Sequence, residues 1–170
     1  MRQRGDKEMI KAMVSTTMTF ERDTFPFTFE YPDGFEFTDK VSASRQLGGG
    51  DAADEAVAIV MDEDNGLAIE RYTLNAEVSQ ADLGLVKREL DGLIQHLDPD
   101  AAGEAGELAG FPSLTYAAVA VPGLKDGETR IIALFEGDQE YLIHCQSTPE
   151  GRDEVEQACN LAVDTLARAS

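Results

Sequence analysis

Residues 113–147, SLTYAAVAVPGLKDGETRIIALFEGDQEYLIHCQS, contain three apolar runs of strand length joined by two short links. The links, residues 122–127 and 137–139, consist largely of proline, glycine and charged residues, which favour turns. Links of this length connect neighbouring strands that run in opposite directions. The stretch therefore predicts a meander of antiparallel neighbouring strands.

A helix is predicted before the meander, separated from it by an expected loop at residues 99–110. Its apolar residues recur every three or four positions and form one stripe, namely Leu83, Val86, Leu90, Leu93, Ile94 and Leu97. Ser79 with Asp82 three residues later is typical of a helix start. Gly84 and Gly92 are unfavourable inside a helix by about 1 kcal/mol each. Either the helix is weaker than its stripe suggests, or a neighbour approaches closely at the glycines.

A second helix is expected from Pro149 to about Ala169. Thr148 is a suitable cap for it, and proline is favoured at the first helical position. Its apolar stripe consists of Val155, Ala158, Cys159, Ala162 and Leu166. This stripe predicts a helix that packs against a sheet.

The N-terminal third predicts further strands. Between residues 17 and 36, aromatic residues alternate with other types at Phe25, Phe27, Phe29 and Tyr31, which is the period of a sheet with one buried face. Residues 55–74 predict a hairpin around Asn65 and Gly66, a pair able to adopt the positive φ of tight turns.

The order of these elements predicts an α+β fold in which an antiparallel sheet is flanked by helices. At 170 residues the chain fits one domain. We expect a flexible tail over residues 1–15 and a single domain over residues 16–170. Residues 42–55, rich in glycine, alanine and aspartate, are expected to form a mobile loop.

The charge of the chain excludes some partners. Asp and Glu number 33 against 14 Lys and Arg, and the formal net charge of −19 repels nucleic acids and anionic lipids. The same excess suits a basic protein partner, or a surface that stays soluble in a high-salt cell. No segment has the length of a membrane-spanning helix, and no signal peptide is recognisable. The expected location is cytoplasmic, with export as the alternative if the N-terminus is truncated.

Cys145 and Cys159 fall in the last predicted strand and the last predicted helix. The strand period places Cys145 on the apolar face, and Cys159 belongs to the helical stripe, so both sulfurs are expected in one interface. A disulfide also requires Cα atoms within about 7 Å. A structural disulfide and two buried free thiols both stay open. Their separation of 14 residues makes a redox or metal pair the weakest of the three alternatives.

No catalytic or metal-binding motif is recognisable. His96 and His144 have no partner in sequence that would make either a general base. A calcium loop starting at Asp62 would need glycine and glutamate where the chain has Leu67 and Thr73. We therefore expect no cofactor, no metal and no enzyme activity, with an enzyme as a minority alternative.

Three segments resemble PsbP-like proteins. They are FTFEYPDGFEF at residues 27–37, ELAGFPSLTYAA at 107–118, and YLIHCQSTPEGRDEVEQACNLAVDTL at 141–166. The resemblance covers nearly the whole chain from about Thr17 onward. It is greatest to the small actinobacterial lipoproteins of that superfamily, which share a fold with the Ran-binding Mog proteins and the DcrB group.

The resemblance implies an αβα sandwich and a protein that binds other proteins or ligands. In the lipoprotein relatives, a cysteine pair at the places of Cys145 and Cys159 is commonly a disulfide. The chain departs from those relatives because it lacks a signal peptide and a lipid-modified cysteine, which puts surface anchoring in doubt.

We therefore expect a noncatalytic module that binds a protein partner or a small apolar ligand. Its contact surface would be the sheet face left free by the last helix, or a groove under the loop at residues 48–54. The candidate groove-lining residues are Phe25, Phe27, Phe35, Phe111 and Tyr116, with ordinary core packing as the alternative. A cytoplasmic, chaperone-like adaptor of the DcrB group, which shields apolar segments, is the second hypothesis.

Overall fold

The structure of the protein, a computed structural model, describes residues 16–41 and 53–170. The strands are β1 (Thr17–Phe20), β2 (Phe27–Pro32), β3 (Glu36–Thr38), β4 (Glu55–Val60), β5 (Gly66–Thr73), β6 (Glu104–Leu108), β7 (Phe111–Ala120), β8 (Glu128–Glu136), β9 (Gln139–Ser147) and β10 (Ala167–Arg168). The helices are α1 (Leu83–Ile94), preceded by a single 3-10 turn at Gln80–Asp82, and α2 (Arg152–Thr165). The expected tail and residues 42–52 of the expected loop lie outside the described residues.

The strands form two antiparallel sheets. Seven pair in the order β3-β4-β5-β9-β8-β7-β6, and three pair in the order β1-β2-β10. Helix α2 and the small sheet pack on one side of the large sheet, which we call the α2 face. Helix α1 packs on the other side, the α1 face, over β6 and β7. The predicted fold class, an antiparallel sheet flanked by helices, is confirmed.

The predicted meander is also confirmed, because β7, β8 and β9 are consecutive neighbours. Strand β6 was not predicted, since its residues were expected to form a loop. It pairs with β7 through a two-residue turn at Ala109 and Gly110, both with positive φ. β6 is an edge strand with only a weak alternation of apolar and polar residues. It is extended because it pairs with β7.

The core on the α2 face is rich in aromatic side chains. Strand β2 turns Phe27, Phe29 and Tyr31 toward this core, as their alternation predicts. Ring centroids lie 4.7 to 6.3 Å apart in a cluster made of Phe20, Phe25, Phe27, Phe29, Phe111 and Tyr141. Offset and edge-on aromatic contacts add to the area buried. This cluster fixes the small sheet onto the large one.

The core on the α1 face is smaller and includes a hydrogen-bond network. Tyr116 donates to the Asp91 Oδ1 atom at 2.6 Å, and the Gly103 N–H donates to the same oxygen at 2.9 Å. Lys87 Nζ lies 2.6 Å from Asp91 Oδ2. Burial and the bonded Asp91 carboxylate raise the pKa of Tyr116. The network ties the middle of α1 to β7 and to the segment before β6.

Helix α1 is shorter than its apolar stripe suggests. The Ser79 and Asp82 capping box is present, but it precedes the 3-10 turn, and α1 ends at Ile94. The prediction that Leu93 and Leu97 are buried was wrong: both are exposed. The helix ends before Leu97, and Leu93 points away from the sheet that α1 covers.

The hairpin of β4 and β5 forms as predicted, but its turn differs. The loop spans residues 61–65, and neither Asn65 nor Gly66 has a positive φ. The Asn65 side chain instead donates to Asp62 and accepts from the Thr148 N–H at 2.8 Å. This bond connects the hairpin to the start of α2.

Helix α2 also differs at both ends from its prediction. It begins at Arg152 with Gly151 as cap, and it ends at Thr165. The chain then extends, so that Ala167 pairs with Thr28 of β2. The pairing closes the small sheet and explains why the helix stops early. No helix within the described residues has both the length and the apolar character needed to cross a membrane.

Candidate functional site

The predicted groove residues lie in the two cores. Phe25, Phe27 and Phe111 are buried in the α2-face core, and Phe35 is partly buried against it. Tyr116 is buried in the α1-face core. None of the five lines the small cavity beside His144 or the larger open depression that contains Asp98. Their role as a ligand groove stays a prediction, and the groove expected under residues 48–54 falls mostly outside the described residues.

The two cysteines meet between β9 and α2. The structure joins Cys145 and Cys159 by a disulfide with a Cα separation of 6.1 Å, and both residues are buried. Strand β9 turns Cys145 toward the α2 face, and Cys159 lies on the buried side of α2. The bond therefore covalently links the central strand to the helix that covers it.

A polar cluster occupies the opposite side of the same central strands. We define it by Glu70 and Tyr72 of β5 and by Glu140 and His144 of β9. His144 Nε2 lies 2.9 Å from Glu70 Oε1, and Tyr72 donates a hydrogen bond to the other Glu70 oxygen. Glu70 and His144 are 0% and 2% exposed. A buried carboxylate of this kind requires such partners, because an unpaired buried charge is costly.

Two carboxylates in the polar cluster share one environment. Tyr72 pairs with Glu140 across the strands, and this places Glu140 beside Glu70. Burial, with a further contribution from the charge of Glu70, raises the pKa of Glu140 to about 7. The cluster can therefore take up or release a proton near neutral pH.

The space beside the polar cluster is very small. A cavity of about 10 Å³ is lined by His144 and, among others, Gly66, Ala68 and Gln146. That volume holds about one water molecule and no organic substrate. In the part of the chain that the structure describes, this cavity therefore has room for about one water molecule beside His144.

Helix α1 and the turn that follows it carry exposed leucines. Leu85, Leu93 and Leu97 are 58%, 65% and 40% exposed, and we call these three residues the leucine face. A Cβ atom placed at Gly84 or Gly92 would have no heavy atom within 4 Å. The glycines therefore reflect no close neighbour, and they leave the backbone of this helix side accessible.

An acidic depression lies next to the leucine face. It has a volume of about 540 Å³ and opens to solvent. Its charged lining residues are Asp98, Asp126, Glu128 and Arg152, and small residues such as Ala118 and Ala120 also line it. Asp98 directly follows Leu97 in the chain, so one lining residue of the depression is the sequence neighbour of the leucine face.

Sequence reasoning missed these features for different reasons. Glu70 and His144 are 74 residues apart, so only the β5–β9 register reveals the pair. A charged residue at an inward position of the run GLAIERYT was the one available signal. Leu85 was not part of the predicted stripe, and Leu93, which was, is nevertheless exposed.

Comparison with known proteins identifies the fold. The sequence matches no protein-family profile and no curated protein. Cyanobacterial PsbP (CyanoP) from Synechocystis superposes with a TM-score of 0.58 at 12% identity, over 92% of this chain and 94% of that chain. LpqN of Mycobacterium tuberculosis, involved in cell envelope biogenesis, superposes with a TM-score of 0.57 at 11% identity, over 96% of each chain.

This chain has the PsbP-like fold. A Bacteroides thetaiotaomicron protein also superposes, with a TM-score of 0.52 at 8% identity over 89% of this chain, although the chain spans only 48% of that protein. The predicted PsbP-like resemblance is confirmed at the level of the fold. At identities of 8 to 12% the likeness carries no residue-level role.

Proposed function

We propose that this chain is a noncatalytic protein-interaction module that binds its partner through the leucine face. The observation that carries the proposal is the exposure of Leu85 and Leu93 on α1 and of Leu97 in the turn that follows it. Single exposed apolar side chains are common, but a group on one element is typical of interaction surfaces.

The dimensions of the leucine face suit a protein segment. Leu85 and Leu93 are eight residues apart in α1, which is about 12 Å along the helix axis. Two helical turns present apolar anchors at the spacing with which an amphipathic helix or a strand can pack. Gly92 lies between the leucines, and its lack of a side chain leaves room for a partner to approach.

The cavities support a protein partner over a small ligand. Ligand pockets usually measure about 300–1,000 Å³, are concave and are mainly apolar. The cavity beside His144 measures about 10 Å³, and the acidic depression is open and lined by charged groups. The small size of the cavity beside His144 also supports the noncatalytic proposal, because this cavity has no room for an organic substrate.

The test is affinity purification of the natural full-length protein from its own cells. The variant Leu85→Gln/Leu93→Gln is compared with the wild type, and Met18→Gln serves as the matched control, since Met18 is an apolar side chain 45% exposed on β1. We expect one or more proteins to be lost from the leucine variant and retained by the control.

Stability must be unchanged for this comparison to be informative. Both leucines are exposed, so we expect the folding free energy of the double variant to change by less than about 1 kcal/mol. Recovery of the same proteins with all three chains, at equal amounts and equal stability, would refute the leucine face as the binding surface.

A further inference from the structure

The acidic depression and the leucine face meet in the chain at two consecutive residues. Leu97 is the last residue of the leucine face, and Asp98 is the first of the depression. The Asp98 carboxylate is held in place, because it accepts from the Ala120 N–H at 3.3 Å and from the Asp100 N–H at 3.1 Å. A partner lying along α1 would therefore meet apolar side chains first and a fixed carboxylate next.

The depression has an excess of negative charge. Three carboxylates, from Asp98, Asp126 and Glu128, face one guanidinium, from Arg152. Arg152 is partly engaged already: its Nη2 donates to the Asp126 carbonyl at 2.6 Å, and its Nε lies 3.6 Å from Glu128 Oε2. Three negative charges against one positive charge leave an unbalanced charge of −2 in the depression.

The charge of the whole chain acts in the same direction. With a formal net charge of −19, two copies of this chain repel each other, and so do the chain and an anionic membrane. A basic segment is instead attracted at long range, and its association is accelerated. Of the possible occupants of the leucine face, a cationic amphipathic segment is the one that the charges favour.

Resting on the proposed function, we infer that the partner presents a basic amphipathic helix. Its apolar side chains would contact Leu85, Leu93 and Leu97, and a lysine or arginine beyond them would enter the depression and pair with Asp126 and Glu128. Such a helix combines the two known requirements of helix-in-groove recognition, apolar anchors at helical spacing and charges that fix the register.

The test uses two designed peptides that differ only in charge. Both form amphipathic helices with one leucine face; one carries lysines on its other positions, and the second carries glutamates. Binding to the full chain is measured by fluorescence anisotropy in about 0.15 M salt, where long-range attraction is largely screened. We expect the lysine peptide to bind about tenfold more tightly than the glutamate peptide, or better still.

Two double variants locate the site. Leu85→Gln/Leu93→Gln should weaken binding of the lysine peptide about tenfold. Asp126→Asn/Glu128→Gln should weaken it about threefold, since exposed ion pairs each contribute a fraction of a kcal/mol. Glu36→Gln/Glu63→Gln is the matched control, because it removes the same charge at exposed positions outside both surfaces and should leave the affinity unchanged.

The outcomes separate this inference from the proposed function. If both peptides bind equally well and the leucine variant binds neither, the inference of a basic partner is wrong, while the leucine face is still the binding surface. Absence of binding, or binding that the leucine variant does not weaken, would overturn both. Self-association of the wild type in sedimentation, abolished by Leu85→Gln/Leu93→Gln, would assign the face to a second copy and also overturn the inference.

Discussion

The two faces of the large sheet are stabilised by different interactions. On the α2 face, an aromatic cluster and the Cys145–Cys159 disulfide hold α2 and the small sheet in place. On the α1 face, the middle of α1 is held by hydrogen bonds to Asp91, and the central strands carry the polar cluster. The first face combines a large aromatic core with a covalent bond, and the second combines a smaller apolar core with polar groups, among them Asp91 and Glu140, whose charges depend on pH.

The α2 face therefore contributes mainly to stability, whereas the surface that we propose for recognition is on the other face. The α2 face buries its helix stripe, whereas α1 and the turn after it leave three leucines exposed to solvent, and an acidic depression begins at the next residue, Asp98. The surface that we propose for binding therefore lies on the face with the smaller core. Four predictions test this contrast, starting with the largest expected effect.

The aromatic cluster should contribute most to stability. Phe27 is fully buried and contacts the rings of four neighbours on the α2 face as well as that of Tyr141. We expect Phe27→Ala to lower the free energy of unfolding by about 3–5 kcal/mol, measured by urea denaturation. Val86→Ala, a partly buried position of α1, should cost about 1 kcal/mol. Equal costs for the two variants would contradict the contrast between the faces.

The disulfide should be the next largest contribution. A bond that closes a loop of about this length stabilises a protein by about 3 kcal/mol in chain-entropy models. We expect Cys145→Ala/Cys159→Ala to lose roughly that amount in urea denaturation. The redox state itself is read by intact mass, since the wild type purified without reductant should gain about two hydrogens on reduction. Two thiols that titrate in denaturant without reductant would show that the bond is absent from the purified protein.

The Asp91 network should contribute less and in a pH-dependent way. Burial acts to raise the pKa of Asp91, but hydrogen bonds from Lys87, Tyr116 and Gly103 hold this pKa below its usual value. A lowered carboxylate pKa stabilises the folded state at neutral pH, and this contribution is lost as pH falls through the folded-state pKa.

We therefore expect Asp91→Asn to lose about 1–2 kcal/mol at neutral pH. The difference from the wild type should shrink in acid, where the wild-type carboxyl is protonated too. Glu89→Gln, an exposed position of the same helix, is the matched control and should change stability by less than about 0.5 kcal/mol. A deficit of Asp91→Asn that is the same at every pH would show that the charge of Asp91 is not responsible.

Glu140 should give the smallest effect, with the opposite sign. Its folded-state pKa of about 7 exceeds its ordinary value of 4.5, so the folded state binds the proton more tightly than the unfolded chain. The wild type therefore loses stability as pH rises through this window. Glu140→Gln removes that loss and should be more stable than the wild type above pH 7, by on the order of 1 kcal/mol.

Urea denaturation from about pH 5 to 8 measures this effect, with Glu36→Gln as control for the general loss of one negative charge. If the free energies of unfolding of the wild type and Glu140→Gln change with pH in the same way, the proton that the polar cluster binds in this range is not on Glu140.

Periodicity alone predicted the elements whose burial repeats along the chain. The alternation at Phe27, Phe29 and Tyr31 predicted β2, and the short links predicted the meander. It failed where a partner decides the conformation. Strand β6 is extended because β7 pairs with it, and α2 stops at Thr165 because β10 must reach β2.

The candidate surface was not predicted, for a related reason. A helical stripe shows which residues share a side, but not how far the neighbouring sheet extends beneath them. Leu93 lies at the edge of the stripe and Leu97 beyond the end of α1, so both face solvent. The depression joins residues of four separate segments, from Asp98 to Arg152, and no local pattern brings these together.

The pairing of β10 with β2 also bears on how the protein is made. Thr28 pairs with Ala167, so the small sheet joins residues from opposite ends of the described chain. During synthesis, β2 with its three buried aromatic side chains leaves the ribosome well before β10, its partner on that edge. An open strand edge of this kind is a template for pairing with other chains. This edge of β2 therefore stays open to such pairing until β10 has been made and has paired with it.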